Sequence, residues 1–165
     1  MALQAAVELQ RRWEREWPRS GQQALAEAEE AGLEVLGLGG QRVCVLAERD
    51  DQVLKLAWLE KGLADNLLEM RLWQRAEPAL RELLCPAIAL EEAGILRQAR
   101  CLPAAAQALG RRAAEVCRKL ARHGVSDSHT NLGLLYDRER GGWRVVCYDY
   151  NLLRPQLARE LLSGK

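Results

Sequence analysis

The stretch LEVLGLGGQRVCVLAERDDQVLKLAW, residues 33–58, decides the fold of this chain. It contains three short runs rich in Val and Leu, at residues 33–38, 42–48 and 52–58, which are separated by GG and by the polar segment ERDD. Short apolar runs between turn residues are typical of antiparallel strands that follow one another along a sheet. We therefore predict a three-stranded meander.

On the carboxyl side of the meander, the sequence predicts one helix and then two more strands. The helix covers about residues 61–75 and ends before Pro78. Its apolar residues recur at the spacing of a single buried face: Leu63, Leu67, Met70 and Trp73. The runs PAIALEE and GILRQARCL, joined by a turn at residues 92–94, complete five predicted strands with one helix inserted after the third.

The remaining segments predict helices around one further hairpin. Pro103 opens a predicted helix of about twenty residues, because its ring presets the backbone angle of a first helical turn. The loop VSDSHTN then leads into two strand-like runs, LGLLYD and WRVVCYDY, and a short helix follows near residues 155–162. Residues 2–17 and a helix capped by Ser20 precede the meander.

These segments define the domains that we expect. Residues 1–32 are predicted to form an amino-terminal helical extension, and residues 33–165 the main domain. The main domain divides into a strand-rich part at residues 33–102 and a smaller part at residues 103–165. The predicted fold class is α+β.

The composition of the chain argues against several classes of partner. The 24 Lys and Arg nearly balance the 23 Asp and Glu, so the whole-chain charge of +1 argues against nucleic acid as a partner. No apolar run reaches the ~20 residues of a membrane span, and no signal-peptide pattern is present. Five widely spaced cysteines predict free thiols rather than disulfides. We therefore expect a cytoplasmic protein without a membrane partner.

Three features carry the chemistry, and the first is a glycine-rich turn. Gly37, Gly39 and Gly40 lie between the first two predicted strands, where the absence of a β-carbon lets backbone amides approach phosphate oxygens. A purely structural hairpin turn is the alternative.

The second feature is a charged pair. Lys55 stands in the middle of the apolar run VLKLA, where a charge is costly to bury without an anionic partner. Glu69 follows on the predicted helix, where Asn66 and Trp73 extend a stripe toward the sheet. Two alternatives remain open at this stage: an edge strand with Lys55 in solvent, and a solvated Glu69 that pairs with neighbouring arginines.

The third feature is a set of polar residues in the carboxyl-terminal part. Asp127, His129 and Asn131 lie in the loop after the long predicted helix. Asp149 directly follows the apolar run VVCY. Because a strand holds the groups at its end rigidly, strand ends are where folds place metal-binding and catalytic side chains.

In this order along the chain, the three features resemble the protein-kinase-like superfamily. The loop HGVSDSHTN is similar in style to the H-G-D-x-H-x-x-N loop of aminoglycoside-phosphotransferase-like members. The resemblance covers roughly residues 33–151. It implies a five-stranded antiparallel lobe with its helix C, a reduced helical lobe, and a bound ATP with Mg²⁺.

The resemblance also implies roles for individual residues in the amino-terminal part. Gly37, Gly39 and Gly40 resemble the loop that covers the nucleotide phosphates. Lys55 resembles the lysine that contacts those phosphates, and Glu69 its ion-pair partner on the helix.

Further roles follow in the carboxyl-terminal part. His123 resembles the start of the catalytic loop, with Asp127 as the candidate base. Asn131 and Asp149 resemble the two magnesium ligands. Cys101 and Leu102 fall where the family joins its two lobes and contacts adenine.

Several departures from the family pattern bear on activity. Only three residues separate Asp127 from Asn131 instead of four, so counting back from Asn131 places Ser126 at the catalytic position. A serine is no general base near neutral pH. Arg42 stands near the place of the third glycine, and Asn151 replaces the glycine of the D-F-G motif. Few residues follow Asp149, which argues against a conventional protein kinase.

We carry three functional hypotheses. The first is a minimal kinase-like protein that binds Mg-ATP and transfers phosphate to a small molecule or to itself. The second is an inactive pseudokinase that acts as a binding module, with a protein partner docked on the amino-terminal helices near Trp13 and Trp17. The third is an α+β domain without kinase kinship.

Overall fold

The computed structural model describes residues 1–126, 131–150 and 153–163. Within them the chain is α+β, as predicted, with seven helices and eight strands. In chain order the elements are α1 (Ala2–Arg15), α2 (Gly21–Glu30), β1 (Val35–Leu38), β2 (Arg42–Leu46), β3 (Gln52–Ala57), α3 (Glu60–Arg75), α4 (Pro78–Arg81), β4 (Ala87–Leu90), a 3₁₀ turn (Glu92–Gly94), β5 (Leu96–Ala99), β6 (Leu102–Pro103), α5 (Ala106–Leu109), α6 (Arg111–Arg122), β7 (Leu132–Asp137), β8 (Gly142–Cys147) and α7 (Pro155–Leu162).

The chain forms two compact units. Unit 1 comprises Met1–Met70 and Ala87–Ala99, and unit 2 comprises Arg71–Pro86 and Arg100–Lys165. None of the helices in the described residues is long and apolar enough to cross a membrane.

Unit 1 is built on a five-stranded antiparallel sheet, which confirms the five predicted strands. The strand order is β1-β2-β3-β5-β4, so β3 lies at the centre and pairs on both sides. Two helices, α3 and the short α4, separate β3 from β4 along the chain, one more than predicted. The central position of β3 makes it the most protected strand of the sheet.

One face of this sheet forms the core of unit 1 together with α1 and α2. Val43 and Val45 of β2 and Leu54 and Leu56 of β3 alternate onto this face, as a period of two requires. The helices add apolar side chains to the same core: Ala6, Val7, Leu9, Trp13, Ala24 and Ala28.

Gln10 ties α1 to the end of β3. Its side chain is fully buried; Nε2 donates to the carbonyl of Ala57 at 2.9 Å, and Oε1 accepts from the Ala57 amide at 2.8 Å. A buried backbone group needs a partner, and β5 pairs with β3 only as far as Lys55. The Gln10 amide therefore acts as a substitute for a neighbouring strand.

The start of α3 lies close to the sheet because residue 62 is glycine. A β-carbon at Gly62 would lie 2.6 Å from the carbonyl oxygen of Gln41 and 2.8 Å from the β-carbon of Ala57. Neither atom belongs to a flexible side-chain end, so a larger residue would push the helix away. This close approach brings the polar face of α3 against the sheet.

Unit 2 contains a three-stranded antiparallel sheet in the order β6-β7-β8. The predicted hairpin and the short final helix are present as β7, β8 and α7. Tyr150 is fully buried, and its hydroxyl donates to the carbonyl of Cys85 at 2.9 Å. The Arg71 guanidinium donates to the carbonyls of Leu161 and Leu162, which satisfies acceptors at the end of α7.

The long helix predicted from Pro103 is wrong in its first half. Leu102 pairs with Leu134 and Pro103 with Gly133, so these residues form the edge strand β6. Gly110 then adopts a φ of 55°, which ends α5 before α6 begins. Sheet pairing and one left-handed glycine therefore override the helical propensity of the alanines.

All five cysteines are free thiols, as predicted. Trp13 is 1% exposed and donates its indole N–H to Glu27 Oε2 at 2.7 Å, so this side chain is used inside unit 1. The proposed docking of a protein on the amino-terminal helices stays a prediction for the rest of their surface.

The contact between Trp13 and Glu27 predicts a pH-dependent contribution to stability. Burial acts to raise the pKa of Glu27, but hydrogen bonds from Trp13, Gln23 and Arg12 outweigh it and hold the pKa below its usual 4.5. A depressed pKa stabilises the fold above the unfolded pKa, and this contribution is lost as the pH falls through the folded value.

Glu27→Gln should therefore cost about 1 kcal/mol at pH 7, the net scale of one intramolecular hydrogen bond, and progressively less as the pH falls below 4.5. Urea unfolding at pH 7, 5 and 3 measures this difference. Glu30→Gln, at an exposed site, is the control, and a cost for Glu27→Gln that stays constant with pH would contradict the prediction.

Candidate functional site

Lys55 lies at the centre of the sheet in unit 1. It is 6% exposed, and its strand β3 pairs with β2 on one side and with β5 on the other. The interpretation of this segment as a solvated edge strand is therefore wrong. A buried ammonium group requires hydrogen-bonding partners of opposite charge, because desolvation of an isolated charge costs several kcal/mol.

Glu69 supplies the opposite charge. Its carboxylate is fully buried, and its Oε2 lies 2.8 Å from Lys55 Nζ. The alternative of a solvated Glu69 that pairs with neighbouring arginines on its own helix is wrong. The charged pair predicted between the third strand and the following helix is thus present in the geometry of unit 1.

On the face of α3 that meets the sheet, Asn66 and Glu69 contact Lys55 of β3, as the predicted stripe required, whereas the apolar face predicted on the same helix is wrong. Asp65, Asn66 and Glu69 are buried. The four apolar residues of the predicted face are all partly exposed: Leu63, Leu67, Met70 and Trp73. The apolar side chains that α3 buries are instead Leu68 and Leu72, so the predicted set of buried apolar positions was wrong.

Arg42 is a second cation on the Glu69 carboxylate, and the sequence did not identify this role. It is 8% exposed, and its Nη1 lies 2.6 Å from Glu69 Oε1. Each oxygen of Glu69 therefore accepts from a different cation, Lys55 or Arg42. The period of two along β2 could have identified Arg42. It lies on the same strand face as Cys44, and Cys44 lies directly opposite Lys55 in the register.

Two amides complete this polar cluster. Asn66 Oδ1 accepts from Arg42 at 3.1 Å, while its Nδ2 donates to the carbonyls of Lys55 and Gly94, both at 2.9 Å. Gln98 Nε2 donates to Glu69 Oε2 at 3.3 Å. Since a satisfied buried network is rigid, these bonds fix the position of the Glu69 carboxylate. We call Arg42, Lys55, Asn66, Glu69 and Gln98 the Glu69 cluster.

The glycine-rich turn is linked to the Glu69 cluster through Arg42. The amide of Gly39 donates to the carbonyl of Arg42 at 2.8 Å, and its own carbonyl accepts from the Trp58 indole at 3.1 Å. Gly37 lies within β1 opposite Cys44, so its predicted place in the turn is wrong. A β-carbon at Gly37 or at Gly40 would meet nothing within 4 Å. The turn therefore leaves room for a ligand beside its backbone, as the phosphate interpretation requires.

In unit 2, the structure brings Asn131 and Asp149 to the same end of one hairpin. Leu132 pairs with Cys147, and the amide of Tyr148 donates to the carbonyl of Asn131 at 2.9 Å. Asn131 therefore directly precedes β7 where Asp149 follows β8. Amide and carboxylate oxygens are hard donors of the kind that Mg²⁺ prefers.

The other predicted positions of unit 2 are less informative. Asp127 and His129 lie outside the described residues. His123 is the residue that ends α6, and Ser126 follows the bridge between Val125 and Leu153. Across the described residues, no group of three or more His, Cys, Asp or Glu side chains could hold a metal ion by itself.

Cys101 and Leu102 are placed at the start of the small sheet. Leu102 belongs to β6 and is 52% exposed, whereas Cys101 is partly buried. A β-carbon at Gly133 would lie 2.8 Å from the carbonyl oxygen of Leu102 and 2.9 Å from Cys101 Sγ. Gly133 therefore allows β7 to approach this segment closely, and the proposed contact with adenine stays a prediction.

The Glu69 cluster predicts unequal effects of two neutralising substitutions. Glu69→Gln leaves two buried cations without their shared carboxylate, so we expect a loss of about 3–5 kcal/mol in the free energy of unfolding. Lys55→Met should cost less, because Arg42 still pairs with Glu69 and a flexible Met fills the space of the lysine stem.

Urea unfolding with a matched control, Glu30→Gln at an exposed position of α2, provides the measurement. The control should change stability by less than about 0.5 kcal/mol. A Glu69→Gln protein as stable as this control would contradict the role of Glu69 as the shared partner of two cations.

Comparison with known proteins adds no family assignment. The chain matches no family model, and it matches no curated protein sequence at a significant level. The functional interpretation therefore depends on the geometry of the Glu69 cluster, the glycine-rich turn and the Asn131–Asp149 end of the hairpin.

Proposed function

We propose that this chain is a minimal kinase-like protein that binds ATP together with Mg²⁺. The observation that carries the proposal is the buried contact of 2.8 Å between Lys55 Nζ and Glu69 Oε2. A buried ion pair is weak evidence for stability alone, because desolvation offsets the Coulomb attraction. A ligand that uses the ammonium group gives a physical reason for its presence.

The phosphates of the nucleotide are assigned to the glycine-rich turn and Lys55. Because no side chain stands at Gly37 or Gly40, a phosphate could approach the backbone there, and backbone amides are its proposed donors. In this arrangement Glu69 Oε2 fixes the position of Lys55, and Arg42 fixes the position of Glu69 by pairing with its Oε1. The bound group would add negative charge beside two fixed cations.

The metal ion is assigned to Asn131 and Asp149. When bound, Mg²⁺ neutralises charge on the phosphate oxygens and orients them. Asn131 would supply an amide oxygen and Asp149 a carboxylate as ligands. Phosphoryl transfer depends mainly on such positioning and electrostatics, so the identity of the base, Asp127 or Ser126, affects the rate more than it affects binding.

Lys55→Met tests the phosphate assignment. At a ligand concentration about a hundred times the dissociation constant, Mg-ATP should add roughly 2.7 kcal/mol to the stability of the wild-type protein, which is about 5 to 10 °C in the midpoint of thermal unfolding. We expect Lys55→Met to lose most of this shift while it still unfolds cooperatively.

Lys119→Met is the matched control for the Lys55 experiment. Lys119 has half of its side chain exposed and pairs only at the surface with Glu115, so its substitution should leave the shift intact. Equal ATP shifts in Lys55→Met and in the wild type would overturn the role of Lys55. The absence of a shift in the wild type would favour the pseudokinase hypothesis, in which the same fold serves as a binding module.

Asp149→Asn tests the metal assignment separately. In the wild type, a chelator should remove most of the ATP-induced shift, because Mg²⁺ screens the phosphate charge. In Asp149→Asn the remaining ATP shift should no longer depend on the metal. Asp50→Asn, at an exposed acid of unit 1, is the control, and metal dependence that is retained in Asp149→Asn would contradict the assignment.

A further inference from the structure

Charge is divided unevenly between the two units, although the whole chain is almost neutral. Unit 1 contains 9 Lys and Arg against 15 Asp and Glu, a net charge of −6. Unit 2 contains 15 Lys and Arg against 8 Asp and Glu, a net charge of +7. The whole-chain value of +1, which argued against nucleic acid, therefore conceals a strongly basic unit.

The basic residues of unit 2 are concentrated on helix α6. Five of its twelve residues are exposed cations: Arg111, Arg112, Arg118, Lys119 and Arg122. At about 100° per residue they occupy an arc of roughly 120°, opposite the buried side of the helix. With a rise of about 1.5 Å per residue, they form a stripe about 16 Å long. We call these five residues the α6 stripe.

The α6 stripe has little internal compensation. The acid on α6 is Glu115, which pairs with Lys119 at 2.7 Å. Across the part of the chain that the structure describes, no ion pair is recorded for Arg111, Arg112 or Arg122. Arg118 and Lys119 lie one turn from Arg122, and like charges at this spacing repel each other, so the carboxyl-terminal half of the stripe is unfavourable until an anion binds.

The start of α6 strengthens this argument. Arg111 and Arg112 occupy the first turn, where the helix macrodipole is positive and cations are disfavoured. Gly110 precedes them and has no side chain that could cap the helix. The same end therefore presents guanidinium groups and backbone amides, both of which bind phosphate.

The α6 stripe is suited to a polyanion rather than to a membrane. A helix that binds lipid inserts an apolar face between headgroups. The apolar residues of α6 are buried within unit 2, where the helix packs against β8: Ala113, Val116, Cys117 and Leu120. Four of the five cations are arginines, whose planar groups suit phosphate oxygens, and nucleic acid presents such oxygens at regular intervals.

A pair of exposed aromatic side chains indicates a single strand. Tyr136 of β7 and Trp143 of β8 lie opposite each other, 49% and 54% exposed, with ring centroids 5.3 Å apart in an edge-to-face arrangement. Surfaces that bind single strands combine cations for the backbone with aromatic rings on which bases stack. The strand that carries Trp143 is the one against which α6 packs.

From these observations we propose that unit 2 binds single-stranded nucleic acid, with the backbone phosphates on the α6 stripe and bases stacked on Tyr136 and Trp143. The proposal does not depend on the nucleotide site, because it uses none of the residues assigned to ATP or to Mg²⁺. Its ligand is a polymer of phosphates with exposed bases, whereas that site takes one nucleotide.

Fluorescence anisotropy of labelled 20-nucleotide oligo(dT) and oligo(U), with the full chain at 50 to 200 mM salt, tests this proposal. Replacing all four arginines of the stripe, R111Q/R112Q/R118Q/R122Q, should weaken binding at low salt at least tenfold. It should also make the decrease of log affinity with log salt shallower, by about 3 in the magnitude of the slope, because each phosphate contact contributes about 0.7 for a single strand.

Three further variants test whether weaker binding comes from a general loss of charge, from the loss of arginine on α6, or from the loss of base stacking. R11Q/R15Q/R19Q/R49Q removes the same charge from exposed positions of unit 1 and should leave binding within about twofold. R111K/R112K/R118K/R122K preserves charge and should retain the salt slope, because the slope depends on the number of cations that contact phosphates. Trp143→Ala should weaken binding about tenfold without changing the salt slope, because it removes stacking and not a phosphate contact.

Several results would overturn the proposal. They are the absence of binding at 50 mM salt, equal losses in the two glutamine variants, loss of the salt slope in the lysine variant, and tighter binding to a duplex of equal length. Equal affinity for polyglutamate or for vesicles containing phosphatidylserine would show a general attraction to anions instead. Lys55→Met should bind the oligonucleotides like the wild type, so failure of the nucleotide site and failure of this proposal are distinguishable.

Discussion

The Glu69 carboxylate organises unit 1, because two cations from neighbouring strands converge on it inside the protein. Lys55 reaches one oxygen at 2.8 Å and Arg42 the other at 2.6 Å. Burial of these groups is tolerable only while all of them are paired and hydrogen-bonded. Because these groups must stay paired, helix α3 has to lie close to the sheet and to present polar side chains to it. The glycine at position 62 allows this close approach.

The same requirement connects the site to the rest of unit 1. Arg42 begins β2 beside the glycine-rich turn. Its carbonyl accepts from the Gly39 amide, and its guanidinium pairs with Glu69, so Arg42 links the turn to the carboxylate. Asn66 bonds the backbone of Lys55 and of Gly94, and Gln98 brings β5 to the same carboxylate. A ligand that approached Lys55 would therefore meet a rigid arrangement of fixed charges, which is the condition under which electrostatic stabilisation is strongest.

Unit 2 is organised on different principles. Its sheet is small, its core is apolar, and its surface carries most of the positive charge of the chain. The hairpin β7-β8 places Asn131 and Asp149 at one end and the exposed pair Tyr136 and Trp143 toward the other. One small element thus presents hard oxygen donors and stacking surfaces at separate positions. The two proposed functions of this chain therefore use different residues of unit 2.

The sequence by itself determined the α+β class, the five strands of unit 1 and the hairpin of unit 2, because each follows from local periodicity. For Lys55 and Glu69 it left a solvated alternative open, and their burial and contact in the tertiary structure decided in favour of the pair. Only the tertiary structure decided the roles of Arg42, Gln98 and Gln10, since their partners lie far apart in sequence. It also decided that residues 102–103 form a strand, because pairing with β7 outweighs local helical propensity. The segregation of charge became visible only once the units were known, because unit 1 combines two separate segments of the chain.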